Sequence, residues 1–331
     1  MNFLTDVKIE KSNYQIAHTD GIMMLGSCFA QNMGLRLQEY KFRVELNPFG
    51  ILYNPLSICE ALNYILNPDA FLSDDNIFFY HNELWHSAMH HGDFSRRSKE
   101  EAVEATAIRL LTAAKALAST DTLILTLGTA YVYRRASDGR VVGNCHKVPQ
   151  SHFTRTLSDV GEIVSQMSAT IDALLQRRPT LKILFTVSPI RHLRDGAHDN
   201  QLSKATLLLA IEQLQRLYPQ NTLYFPSYEI MLDELRDYRF YAEDMIHPST
   251  VAADYIWERF GATYFSPATE RLNAELHEIA RALAHRPIDA SSQAHRTFLS
   301  KIMLKIEAIQ KKYPYFDFEK EITQCNTQLE K

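Results

Sequence analysis

The sequence predicts an α/β fold, a parallel sheet covered on both faces by helices. Short runs such as GIMMLG, TLILTL and KILFTV are dominated by apolar residues along their whole length, as strands buried on both faces are. Helical patterns separate these runs, which is what crossovers between parallel strands require. A third observation locates the functional end. Gly26-Ser27-Cys28, Gly128-Thr129 and Ser188-Pro189 each follow an expected strand, and in open parallel sheets the ligand crevice lies beyond the carboxyl ends of the strands.

Taken in order, residues 21–26 read as a buried strand and 28–40 as the helix after it. KFRVEL at 41–46 reads as a second strand, followed by NPFG and a helix over 55–66. A helix over 98–118 precedes TLILTL at 122–127, which stops at Gly128. YVYRR-ASDG-RVV at 131–142 reads as a β-hairpin, because alternating residues flank an Asp-Gly turn. A helix over 158–177, the strand KILFTV at 182–187, a helix over 201–217 and a short strand at 222–225 follow. The loop DMIHP and a last core helix over 249–261 close a domain assigned to residues 1–265. Residues 266–331 change character: two helical patterns, 267–285 and 293–312, flank the loop RPIDASSQ, and YPYFDFEKEI mixes aromatics with charge. This C-terminal helical extension suits packing on the core or on a second subunit, as in a homodimer formed through these helices.

A chain of 331 residues fits one large domain plus an appendage. With 46% hydrophobic and 22% charged residues it reads as an ordinary globular protein. A net charge of −4, without a basic stripe interleaved with aromatics, argues against nucleic acid as a partner. No apolar run approaches the roughly 18 residues that a membrane span needs, and the polar start MNFLTDVKIEKSNYQ does not read as a secretory signal. Cys28, Cys59, Cys145 and Cys325 are scattered with no CxxC pair, which suits free thiols in a reducing compartment, by default the cytoplasm.

Two segments carry chemistry. At a strand-to-helix turn, Gly26-Ser27-Cys28 can present a nucleophile to the unpaired amides and positive dipole end of the helix, which stabilise an anion. A preceding glycine permits a tight turn and close approach of a substrate. Equally, Ser27 can be a helix cap and Cys28 a small buried residue. Downstream, Asp244-Met245-Ile246-His247-Pro248 can supply an acid and a base. Residues i and i+3 of a helical turn share a side, so Asp244 can hold one imidazole nitrogen of His247 while the other takes a proton from a nucleophile. Pro248 suits the first position of the next helix.

GSCFA, NPFG-ILYNP, LTLGTAYVY, NCHKVP, VSPIRHLRDG with Ser203-Lys204, and DMIHPS occur in that order. Together they resemble the GSCFA family, a branch of the SGNH (GDSL-like) hydrolase superfamily, across residues 5–265. The resemblance implies a three-layer α/β/α sandwich with a mainly parallel, flavodoxin-like sheet, and ester hydrolysis or acyl transfer without metal or cofactor. It puts the nucleophile in the first motif and the acid–base pair at Asp244 and His247. The superfamily's Gly-Asp-Ser, laid without a gap on Gly26-Ser27-Cys28, gives Cys28 the nucleophile's place, whereas a shift of one residue gives it to Ser27. A cysteine there tilts the chemistry toward transfer.

The superfamily's Gly-x-Asn becomes Gly128-Thr129-Ala130, so an oxyanion-hole asparagine is missing. The second-motif glycine falls on Gly50, whose N–H is then a candidate donor, with Thr129, Asn54 or Asn144 as candidate side-chain donors. The function expected is that of an acyl esterase or acyltransferase working through a covalent acyl-enzyme. Its substrate would be a small-molecule or carbohydrate ester, such as a cell-envelope precursor, by analogy with the superfamily. The alternative is a catalytically inactive ligand-binding module, for which the missing asparagine argues.

Other clusters carry weaker signals. His86 and His90 have the i, i+4 spacing of helical zinc sites, with His81, His91 and Asp93 nearby, but the segment reads as strand and loop and lacks HExxH, so no metal is expected. Asn144 and His146, in NCHK, are candidates for substrate contact. Arg191, His192 and Arg194 follow a strand end, where they can bind an anionic group.

Overall fold

The computed structural model describes residues 5–285, 289 and 292–329. Its centre is a five-stranded, wholly parallel sheet. The first strand, β1 (Gly21–Gly26), is buried at all six positions and leads through Ser27 into α1 (Cys28–Glu39). Next come β2 (Arg43–Leu46), α2 (Pro55–Leu66) and the short α3 (Pro68–Leu72). A hairpin of β3 (Phe78–His81) and β4 (Leu84–Ser87) precedes α4 (Lys99–Leu117) and β5 (Thr122–Leu127), which is again buried throughout. Strands β6 (Tyr131–Arg135) and β7 (Phe153–Leu157) pair with each other outside the main sheet. The unit is completed by α5 (Val160–Arg177), β8 (Lys182–Val187), α6 (Gly196–Leu217), β9 (Thr222–Tyr224), the one-turn α7 (Ser227–Glu229) and α8 (Thr250–Tyr264).

Period-two alternation divides the sheet's side chains between two cores. Met23, Leu25, Leu123, Leu125, Ile183 and Phe185 face a core shared with α2, α4, α5 and α6. Their neighbours Ile22, Met24, Ile124 and Leu184 face the opposite core, built with α1 and α8. This is a three-layer sandwich, and the continuous apolar runs are the consequence of two-sided burial. Across the sheet the order is β2-β1-β5-β8-β9. Counting only these five strands, that is the 2-1-3-4-5 order of doubly wound folds, whose chain direction reverses between the first and third strands. In such folds the ligand crevice lies at that reversal, here between the carboxyl ends of β1 and β5.

Two sequence expectations need correction. RVV at 140–142 does not form the main partner of β6: the Asp138-Gly139 turn forms, with Gly139 at φ 72, but only Arg134 and Val141 make a bridge beyond it. The full partner is β7, paired from Tyr131↔Leu157 to Arg135↔Phe153. Pro248 is not the first residue of α8: Ser249 caps that helix, its Oγ accepting from Ala252 N–H, and Pro248 instead bridges to Tyr241.

The C-terminal segment forms α9 (Pro267–Ala284), α10 (Gln293–Lys312) and α11 (Glu319–Leu329), the last unanticipated. They share a core of their own, which includes Leu276, Ile306 and Phe318. Tyr40 packs against both this core and the α1/α8 core, and Lys41 pairs with Glu321. The RPIDASSQ loop falls largely outside the described residues.

Candidate active site

The turn after β1 is built around Gly26. Its φ of 151° lies where glycine is favoured, and a Cβ there would sit 2.4 Å from the Thr126 carbonyl oxygen of the neighbouring strand. The glycine thus serves the β1–β5 contact, not only the tightness of the turn. Gly26 N–H donates to Asn47 Oδ1 at 3.0 Å, which ties the turn to the loop after β2.

The two nucleophile candidates part company here. Ser27 is 1% exposed, and its Oγ accepts from Phe29 N–H at 3.2 Å as the cap of α1. Cys28, half-buried, reaches across to α8's leading loop, with Sγ 3.6 Å from His247 Nε2. His247 Nδ1 lies 2.6 Å from Asp244 Oδ2, so the carboxylate selects the Nδ1–H tautomer and leaves Nε2 as acceptor for the thiol proton. Asp244 Oδ1 accepts from the amides of Ile246 and His247, at 2.9 Å each. These bonds depend on Met245 at φ 57: the pair is brought together by a left-handed residue in a loop and not by the helical turn expected.

The electrostatics follow from these contacts. Amide donors from His247 and Ile246, then the imidazole itself, hold Asp244 down to about 2, so it is ionised at any physiological pH. Burial pushes the Cys28 thiol up, against the amides of Cys28 and Phe29 and the charge of Lys204, which favour the anion. Lys204 lies nearby, 1% exposed, its Nζ donating to Gly128 O at 2.7 Å and Ser188 O at 2.8 Å. Burial lowers it to about 7, with Cys28 pulling the other way.

The other residues singled out in the sequence occupy different places. Gly50 N–H donates to Asn47 O at 2.7 Å, and a Cβ at 50 would lie 2.3 Å from His91 Cβ, so this amide is already engaged and the glycine is needed for packing. Thr129 is engaged as well: its Oγ1 lies 3.0 Å from Ser203 Oγ, and its N–H donates to Tyr53 O. Asn54 caps α2, accepting from Ser57 N–H at 2.8 Å. In the resting protein neither the Gly50 amide nor the Thr129 hydroxyl is a free oxyanion donor, while Asn54 commits its Oδ1, an acceptor, to the cap. Asn144 lines a cavity of about 450 Å³ with Phe79, Val142 and Phe153, and its Oδ1 accepts from His146 N–H. The His146 ring bonds Ser87 O at 2.8 Å and lies on His86 at 4.3 Å, in the wall formed by the β3–β4 hairpin. Arg191 stands beyond β8 with its Nε buried and unpartnered.

Of the histidine-rich segment, His86 bonds Ser95 and His81 O, His90 bonds Ser87, and His91 pairs with Asp93. Among the described residues no three His, Cys, Asp or Glu side chains converge as metal ligands would. Sequence reasoning left out Tyr53 altogether. Its ring stands edge-on to His192 at 5.5 Å, and burial, with Cys28 adding to it, raises its hydroxyl. Its carbonyl accepts from both Gly128 and Thr129, so a residue of the loop before α2 closes the crevice over β5. Only position, not residue type, marks that role.

Fold and site together define a doubly wound parallel α/β protein with a thiol, an imidazole and a carboxylate aligned at the switch point of its sheet. The sequence model of the GSCFA family matches residues 21–260, and that described as GSCFA domain protein, C-terminal domain, matches residues 276–331. The chain belongs to the GSCFA family. No curated protein matches it. Solved structures similar to it include one assigned provisionally as a platelet activating factor, from Streptococcus pneumonia. That structure is 12% identical, with 73% of this chain and 83% of that one covered and a TM-score of 0.35. Another is a carbohydrate esterase family 3 protein from Talaromyces cellulolyticus, 10% identical, with 77% and 98% covered and a TM-score of 0.33. Among the described residues no helix is long and apolar enough to cross a membrane.

Proposed function

We propose that the protein is an acyl-transfer enzyme that works through a thioester on Cys28. The observation that carries this reading is the line of contacts from Cys28 Sγ to His247 Nε2 at 3.6 Å and from His247 Nδ1 to Asp244 at 2.6 Å, with Ser27 turned to helix capping. Cys28 Sγ adds to the carbonyl carbon of an ester while its proton passes to His247 Nε2. The tetrahedral adduct then collapses: the C–O bond breaks, the leaving alcohol takes the proton from His247, and the acyl group remains on sulfur. A second hydroxyl, or water, reverses the sequence and regenerates the thiol. Asp244 holds the imidazole in the required tautomer and offsets the charge it gains. The substrate class is an acyl ester of a small molecule or carbohydrate, and the chemistry belongs to residues 1–265, with 266–331 as a helical extension.

The test is incubation with p-nitrophenyl acetate followed by peptide mapping. Acetyl-Cys28 is expected, together with its loss in Cys28→Ala and a fall in its rate of about a hundredfold or more in His247→Ala. Acetylation on Ser27, or at the same rate without His247, overturns the mechanism. The engaged amide of Gly50 and hydroxyl of Thr129 favour a second reading, a binding module that retains the crevice without turnover. Alkylation of Cys28 by iodoacetamide without any acetylation selects that reading.

A further inference from the structure

An acyl-transfer site needs a donor for the carbonyl oxygen as it gains charge, and two of the donors expected from the sequence, Gly50 and Thr129, are engaged. Gly50 N–H is bonded to Asn47 O, Thr129 Oγ1 to Ser203, and Ala130 stands where an asparagine would. Two neighbouring polar atoms beyond β8 are buried without a partner, Arg191 Nε and His192 Nε2, and the imidazole's lies against Gly128 at the end of β5. Buried polar atoms are nearly always satisfied, so an orphan at a crevice calls for an explanation.

Its position is specific. Nε2 lies 3.2 Å from the point where a Cβ on Gly128 would be, so the ring rests on the glycine that ends β5, one strand from Cys28. The ring is fixed from several sides. Tyr53 meets it edge-on at 5.5 Å, and its own main-chain N–H donates to the buried Asn200 Oδ1 at 2.9 Å. Lys204 and His247 lie close enough to repel a proton from it, as does Arg155, against the opposite pull of Asp195. With burial as the main cause, these hold the imidazole down to about 4. At neutral pH it is therefore an uncharged ring with a single N–H, a hydrogen-bond donor and not a cation.

We infer that His192 is the side-chain oxyanion donor of this site, its Nε2–H receiving the carbonyl oxygen of an acyl group under attack by Cys28. The role rests on the acyl-transfer reading above. It also suits Gly128, where an added Cβ would press on the Tyr53 carbonyl at 3.1 Å and on the imidazole at 3.2 Å.

Two reactions of the same sulfur separate this role from others. Acetylation by p-nitrophenyl acetate passes through a tetrahedral oxyanion, whereas alkylation by iodoacetamide displaces iodide and forms none. In His192→Ala, acetylation of Cys28 should fall about a hundred- to a thousandfold while alkylation stays within about twofold of wild type. His192→Gln, which keeps an N–H donor, should recover part of the loss. Unchanged acetylation in His192→Ala overturns the assignment. A parallel fall in both reactions also overturns it, because the ring would then be tuning the thiol. If the wild-type sulfur alkylates but is never acetylated, the acyl-transfer reading itself fails, and the His192 role with it.

Discussion

At Cys28 two influences compete. A helix N-terminus lowers a thiol's pKa, and here the amides of Cys28 and Phe29 and the charge of Lys204 act in that direction. Burial outweighs them, and Asp244 adds to it, so the thiol stays protonated at neutral pH. The resting site is therefore a protonated thiol facing His247 Nε2, and His247 must act during the attack rather than before it. Iodoacetamide labelling of Cys28 should accordingly keep rising from pH 6 to beyond the ordinary thiol value of 9.0. A plateau already reached near pH 6 would show a preformed ion pair and sink this account. The loop makes its own demand. Met245 holds a left-handed conformation that costs any side chain with a Cβ about 1–2 kcal/mol and is still less open to a β-branched one. Met245→Val should thus lower stability and slow Cys28 acetylation, whereas Met245→Gly should be neutral or stabilising. Thermal melts with acetylation rates check both, and equal behaviour of the two variants refutes the point. Cys28, Asp244 and His247 were legible in the sequence because residue type and spacing name their chemistry. Tyr53 and the present roles of His192 and Lys204 were not, because each depends on which strand ends the fold brings side by side.

Among the elements, the runs buried on both faces were legible at once: β1, β5 and β8 fall at the residues read from their apolar patterns. The elements missed lacked a local signal. Strands β3 and β4 are joined by Asn82-Glu83, both at positive φ, a two-residue turn without the glycine that usually marks one. The partner of β6 begins 18 residues after β6 ends, and an Asp-Gly turn between them suggested a nearer one. Helix α11 shows only Ile322, Cys325 and Leu329 toward the C-terminal core, a stripe too thin to read among polar neighbours. The strand-to-helix turn is where element geometry is least forgiving. At Gly26 an added methyl would meet the Thr126 carbonyl at 2.4 Å, with the backbone already at φ 151°. Either β1 and β5 separate or the turn reshapes, so Gly26→Ala should cost about 2–4 kcal/mol in denaturant unfolding. A loss below about 0.5 kcal/mol would mean that the turn yields freely and does not fix Cys28.

Across the whole molecule, the sheet and its helices bury histidines as they bury apolar side chains. His18 lies stacked on Phe42 at 4.1 Å and edge-on to Phe316 at 5.3 Å, joining the N-terminal segment to the C-terminal one. His90 packs on Phe49 against the larger core, His146 lies on His86 beside the β3–β4 hairpin, and His192 stands edge-on to Tyr53. Burial is the first cause for all four, bringing His90 to about 3 and His18, His146 and His192 to about 4, from 6.5. With the folded value below the unfolded one, the unfolded chain binds protons that the native protein refuses between those limits. The histidines' contribution to stability is then complete above about 6.5 and falls as the pH drops. Raised carboxyls such as Glu45 and Glu229, lifted chiefly by burial, act in the opposite sense. Between about pH 6.5 and 5 the histidines dominate. The unfolding midpoint in urea should fall across that window, with net proton uptake on unfolding, and the slope should flatten in His90→Phe if that variant folds and in His18→Gln in any case. A midpoint constant from pH 7 to 5 would show that these rings accept protons in place, without loosening the two cores they join.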